Sequence, residues 1–233
     1  MPMISNLKAM VLAMVAALAL SGLVSATASA VEETGFITAG TAGNPARIDG
    51  EQTTVNVFNR TGRETTCETA KFGNSSSVPG SATELTLVPT FEKCHTVVLG
   101  VKLPTTITMN GCEYDLTTVK HNVPLTFTGL EHLVCPPGKV VEVHVFSDPN
   151  HLELKCTYDK PAQTPSGRIH LENVAGSPND IRGTVEVTGI SSTRVSGTLV
   201  NCGAASDASG TETGGLTLRA TNAEGTFISG SVS

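Results

Sequence analysis

Apolar and polar residues alternate with a period of two along most of this chain. Leu152, Leu154, Cys156 and Tyr158 interleave with Glu153, Lys155, Thr157 and Asp159, and Val141, Val143 and Val145 recur in KVVEVHVF. Such alternation sends successive side chains to opposite faces, so each run reads as a half-buried strand. Shorter runs of the same kind occur at TTVNVF, TELTLV, VPLTFT, GRIHLENV, GTVEVTGI, SGTLVN, GGLTLRA and GTFISG. Turn-forming clusters separate them: GNSSSVPGS, CPPG, SDPN, GSPND and AASDASGTETGG. Nothing beyond the first 30 residues has a helical period. Many short strands rich in Thr and Val predict an all-β fold, an antiparallel sandwich or a barrel-like closure.

One run carries a further geometric reading. His95, Val97, Leu99, Val101 and Leu103 share a parity, Pro104 follows, and TTITMNGC continues the strand-like pattern. This predicts a hairpin centred near Leu103, with Cys94 facing Cys112 across two strands. Near Pro161 the composition shifts from cysteine-bearing, strongly apolar strands to a lighter Gly/Ser/Thr-rich sequence. That shift marks a possible lobe boundary near residue 161, inside one all-β domain spanning 31–233.

The N-terminus adds a destination. Lys8 is the only charge in the first 30 residues and precedes the apolar run AMVLAMVAALALSGLV, which ends in small residues at Ala28-Ser29-Ala30. Charge, apolar run and an A-x-A site form the pattern of a cleaved signal peptide over residues 1–30. The expected location is therefore secreted and extracellular, with no membrane span after cleavage. Losing Lys8 takes the formal charge from −6 to −7. An acidic chain without basic runs argues against nucleic acid as a partner.

Six cysteines, Cys67, Cys94, Cys112, Cys135, Cys156 and Cys202, lie beyond the signal segment, and the closest two are 18 positions apart. An even number in an exported chain predicts disulfides, and the absence of close pairs argues against a cysteine metal site. Six cysteines allow fifteen pairings. The hairpin geometry favours Cys94 with Cys112, a closure worth roughly 3 kcal/mol. Cys135–Cys156 and Cys67–Cys202 are the simplest pairs then remaining.

Several spaced motifs carry a resemblance. Pro89 and Phe91 precede Cys94; Asn110, Gly111, Cys112 and Tyr114 form N-G-C-x-Y; Cys135, Pro136, Gly138 and Lys139 form C-P-x-G-K; Cys156 and Gln163 follow. In this order they resemble a family of uncharacterised secreted proteins of high-GC actinobacteria. The resemblance covers residues 50 to 205 and implies location and fold class, with no activity attached. The gap between Cys135 and Cys156 is longer here than in that family.

Candidate chemistry is thin. His144 shares a strand face with Glu142, and His151 follows the SDPN turn with Asp148 beside it. Two imidazoles and a carboxylate suit a zinc or copper ion. His144, His151 and Asp148 are thus the metal candidates, set against the plainer reading of a solvated strand and a polar turn. Arg168, His170 and Glu172 read as the outer face of a strand. Fifteen Glu and six Asp leave room for a hydrolytic carboxylate pair, but neither G-x-S-x-G nor H-E-x-x-H occurs. There is no Trp and there are only two Tyr, Tyr114 and Tyr158, so a broad aromatic platform for sugars cannot be built, although a polar site with one ring can. The reading that follows is a non-catalytic extracellular binding or surface-interaction module that needs no cofactor. Its expected partner is a cell-envelope component, polysaccharide or protein, met through strand edges and the CPPG and SDPN turns. A secreted hydrolase and a structural coat or matrix protein are the alternatives.

Overall fold

The structure is a computed structural model that describes residues 35–60, 62–74, 78–122, 126–177 and 179–232. The predicted signal segment, residues 1–30, lies outside the described residues. The described residues form one compact unit. Its strands are β1 (Phe36–Thr38), β2 (Arg47–Arg60), β3 (Arg63–Asn74), β4 (Ser81–Ala82), β5 (Glu84–Val98), β6 (Val101–Thr108), β7 (Glu113–Asn122) and β8 (Thr126–Val134). They continue with β9 (Val141–Phe146), β10 (Leu154–Lys160), β11 (Ser166–Asn173), β12 (Asp180–Ser196), β13 (Ser206–Thr221), β14 (Phe227–Ile228) and β15 (Gly230–Val232). A single helical turn, α1 (Leu199–Cys202), joins β12 to β13.

Twelve strands form one antiparallel sheet ordered β14-β13-β2-β3-β5-β6-β9-β10-β12-β11-β8-β7, and extra pairings of β13 with β12 and of β5 with β7 close it. The result is two fused rings. Long strands β12, β13, β2, β3 and β5 form a shared back wall. Across the front, β6-β9-β10 closes an eight-stranded upper ring and β7-β8-β11 an eight-stranded lower one. A short β15-β1-β4 sheet carries Phe36 and Val232 into the main core. Closure removes exposed sheet edges, which would otherwise template association.

Local irregularities let one strand serve two rings. In β5 the buried parity changes from Leu85, Leu87 and Phe91 to Cys94, Thr96 and Val98 across Lys93, which has φ 52°. β12 changes from Val185 and Val187 to Ile190 and Ser192 across Gly189 (φ 77°), where the register also shifts. Bulges of this kind bend a strand and re-aim its side chains. β11, β12 and β13, all beyond Pro161, pair with β8, β10 and β2 before it, so the lighter sequence is woven into the same sheet.

Several local expectations are corrected. The β5–β6 turn is Leu99-Gly100 (φ 51° and 82°) with Val98 opposite Val101, so Cys94 faces Thr105. Positive φ at both turn residues matches strand twist, which the local sequence did not signal. Pro104 is tolerated because β9 begins pairing with β6 only at Thr105. The disulfides are Cys67–Cys94, Cys112–Cys135 and Cys156–Cys202, in place of Cys94–Cys112, Cys135–Cys156 and Cys67–Cys202. Cys67 and Cys94 are direct partners in the β3–β5 ladder. Cys112 and Cys135 flank the Glu113–Val134 pair of the β7–β8 hairpin. SGTLVN runs from the end of β12 into α1 instead of forming a strand of its own. AASDASGTETGG, read as a turn, supplies the first half of β13; its glycines are needed there, since a Cβ on Gly210 would lie 2.7 Å from the Ile190 carbonyl oxygen.

Candidate functional site

Two regions combine chemistry with position: the waist between the rings, and the upper end. At the waist, β7 and β8 of the lower front carry Tyr114 and Glu131 inward, β10 of the upper front ends in Lys160, and β13 of the back wall supplies Glu212. Tyr114, Glu131 and Glu212 are 9%, 5% and 3% exposed. The Tyr114 hydroxyl donates to Glu212 Oε2 at 3.3 Å. Lys160 is half-buried as a residue, yet its ammonium turns inward to lie 4.3 Å from the centroid of the Phe58 ring.

Burial sets the electrostatics here, because a low-dielectric interior disfavours charge. Desolvation lifts the Glu212 carboxyl to about 7, against the opposing pull of the Lys160 ammonium and the Tyr114 hydroxyl. Glu131 is pushed well above the carboxylate range by desolvation and then by the Glu212 charge. Desolvation lowers Lys160, partly offset by both carboxylates. Desolvation also raises Tyr114, with the two glutamates adding to it. Burial therefore shifts both Glu131 and Glu212 toward their protonated forms. The adjoining cavity, lined by Phe58, Thr65, Tyr158, Lys160 and Ser192, measures about 30 Å³. That holds about one water and no organic substrate.

Of Tyr114, Glu131, Lys160 and Glu212, only Tyr114 was singled out in the sequence. Signals existed: Phe127, Glu131 and Leu133 share a parity in TFTGLEHLV, and Lys160 continues the inward phase of Cys156 and Tyr158. An acid or amine in phase with core residues marks a buried charge.

The metal candidates sit on the β9–β10 hairpin and have other roles. Asp148 accepts the backbone N–H of Asn150 (2.9 Å to Oδ1), Leu152 (3.0 Å to Oδ2) and Glu153 (2.7 Å to Oδ2). These bonds, the one from Glu153 foremost, hold its carboxyl below the usual range. His151 stacks on Phe146 at 4.6 Å with 21° between planes, and His144 meets the same ring edge-on at 6.3 Å. His144 Nε2 lies 3.5 Å from Glu142 Oε2. Among the described residues no three His, Cys, Asp or Glu side chains converge on a metal-sized point. Arg168 and His170 face outward on β11, and Glu172 pairs with Arg182 Nη1 at 3.0 Å.

The upper end is defined by ladder registers. Val98 opposite Val101, Phe146 opposite Leu154 and Thr157 opposite Ser196 bring the β5–β6 turn, the β9–β10 turn and the end of β12 to one rim. The Cys156–Cys202 disulfide ties α1 to that rim. Arg63 donates to the carbonyls of Val200 and Asn201, Arg60 to those of Cys202 and Ala204, and Arg194 to that of Gly203. The Tyr158 hydroxyl adds a bond of 2.9 Å to Cys202 O. At this end Leu99, Val101, Leu152, Leu154, Val195 and Val200 are 67%, 57%, 84%, 47%, 61% and 68% exposed. Leu152 and Leu154, expected inside from their alternation, instead lie beyond the closed part of the barrel. The SDPN turn is part of the rim, whereas CPPG lies at the waist, where Asn110 Nδ2 donates to Val140 O and Gly111 approaches Pro136.

Three disulfides fit an oxidising compartment. No helix among the described residues is long and apolar enough to cross a membrane. No protein-family model, no curated protein and no solved structure matches the chain.

Proposed function

We propose that this chain is a non-catalytic extracellular interaction module that docks a protein of the cell envelope on its upper end. The observation that carries this reading is the concentration there of six large apolar side chains, each at least 47% exposed. Water-facing apolar residues scattered singly need no explanation, but a cluster on one rigid rim marks a contact surface. Disulfide, arginine clamp and Tyr158 fix the rim in advance, which lowers the ordering cost of binding. The signal-like N-terminus and the resemblance to secreted actinobacterial proteins support an envelope location. The groups suited to acid–base chemistry are enclosed at the waist, which favours binding over hydrolysis.

The test is co-sedimentation of the chain from Val31 onward with a purified, insoluble actinobacterial envelope fraction, before and after that fraction is treated with protease. The expected result is saturable, protease-sensitive pelleting that falls about tenfold in a Leu99→Ser, Leu152→Ser, Val200→Ser variant, since docking energy concentrates in few anchors. All three positions are exposed, so the variant should fold. Equal protease-sensitive pelleting by both proteins, or none by the parent, overturns the reading.

A further inference from the structure

We infer that the outer face of β13, β2 and β3 at the lower end carries a second, separate site that binds a neutral oligosaccharide. Outward-facing residues there form two cross-strand rows. Glu51 stands opposite Lys71 in one, and Arg219 opposite Asp49 in the next. The second row ends at Gly73, the following outward position of β3. The missing side chain leaves the floor open, because a Cβ there would meet only Val88 O, at 3.9 Å. Beyond the β13 edge the chain turns back through β14, and Phe227, paired with Thr221, forms the wall of a groove of about 450 Å³. That size lies within the ordinary range for small-ligand sites, about 300–1,000 Å³.

The chemistry of the groove selects the ligand. Phe227 is 58% exposed, although a phenyl ring normally belongs in a core, and it offers a flat apolar face. Arg219 is held in place by Asp180, whose Oδ1 accepts from Nε at 2.7 Å, and its guanidinium carbon lies 5.8 Å from the Phe227 ring centroid. Glu51 Oε2 lies 4.0 Å from Arg219 Nη1. A ring beside planar forks of donors and acceptors suits a sugar: the apolar C–H face stacks on the ring, and vicinal hydroxyls bridge carboxylate and guanidinium. The floor balances two acids against two cations, and Asp180 flanks Arg219, so the site has no excess positive charge to attract phosphates or uronates. This is also the polar site with a single ring that the aromatic-poor composition leaves possible.

Isothermal titration of the chain from Val31 onward with cello-, chito- and maltotetraose, and with tetragalacturonate as the anionic comparison, tests the site. The expected result is saturable binding of at least one neutral tetramer, weakened about tenfold by Phe227→Ala and abolished by Gly73→Ile. Gly73 lies outside the left-handed region and its side-chain space is open, so the isoleucine fills the floor without straining the backbone. Circular dichroism and non-reducing mass would confirm that both variants are folded. No neutral tetramer bound up to about 10 mM, the weakest range worth counting, overturns the inference. So does tighter binding of the galacturonate, or binding of a neutral tetramer unaffected by either variant. The rim variant should bind the sugar like the parent, which keeps this test independent of protein docking at the upper end.

Discussion

Desolvation raises the Glu131 and Glu212 carboxyls inside the fold, and shifts of that sign tie stability to pH. The Glu212 carboxyl is raised from 4.5 to about 7 in the folded chain. The folded form thus binds a proton that the unfolded form releases at lower pH, so the stabilising contribution is complete below about pH 4.5 and is lost as pH rises through 7. Asp148 and Asp180 have the opposite sign and act only below about pH 4. The melting temperature should therefore fall by about 5–10 °C between pH 5 and pH 8. Glu212→Gln, which keeps an acceptor for the Tyr114 hydroxyl, should flatten that slope and exceed the parent at pH 8. A melting temperature that rises over this interval, or a slope unchanged in the variant, would refute the assignment. At this scale the sequence revealed which residues can titrate but not which ones meet. Parity places Glu131 inside, yet its approach to Glu212 depends on strands far apart in the chain.

At the scale of elements, alternation was a reliable guide along β9 and β11. Val141, Val143 and Val145 are buried at 3%, 4% and 0%. It misled where strands bend or leave the barrel, as at Lys93, Gly189 and Leu152. Turn chemistry misled at Pro104, because a proline beside an unpaired stretch of edge costs a strand little, and at Leu99-Gly100, where tertiary twist imposes a turn that the residues do not advertise. The cysteine pairing went astray for the same reason: displacing the hairpin centre from Leu99-Gly100 to Leu103 changes every facing pair. The corrected pairing makes a prediction. Cys67–Cys94 spans 27 residues and joins direct ladder partners. Replacing both cysteines with alanine should cost about 3 kcal/mol, read as a lower urea midpoint, with m rising as the unfolded chain loses a constraint. An unchanged midpoint would show that this crosslink adds nothing to the β3–β5 ladder.

Across the whole molecule, period-two patterning, an even cysteine count and turn spacing were enough to establish an antiparallel, disulfide-stapled, all-β architecture. Closure into two fused rings was not legible, since it rests on the pairing of β12 with β13 and of β5 with β7. β12 and β13 are consecutive, but the β5–β7 pairing skips β6 and is set by core packing and strand twist, not by local pattern. That closure sets three regions apart: a buried polar cluster at the waist, an upper end with exposed apolar side chains, and a polar groove on the lower back wall. The upper end is the proposed protein-docking surface. Covalent footprinting with a carbene label, on the free chain and on the chain bound to the envelope fraction, tests it most directly. Docking at the upper end predicts protection in the segments around Leu99–Val101, Leu152–Leu154 and Val195–Val200, with labelling at Val55 and Val134, exposed elsewhere on the barrel, unchanged. Protection centred on Val55 or Val134, with the rim still fully labelled, would contradict it.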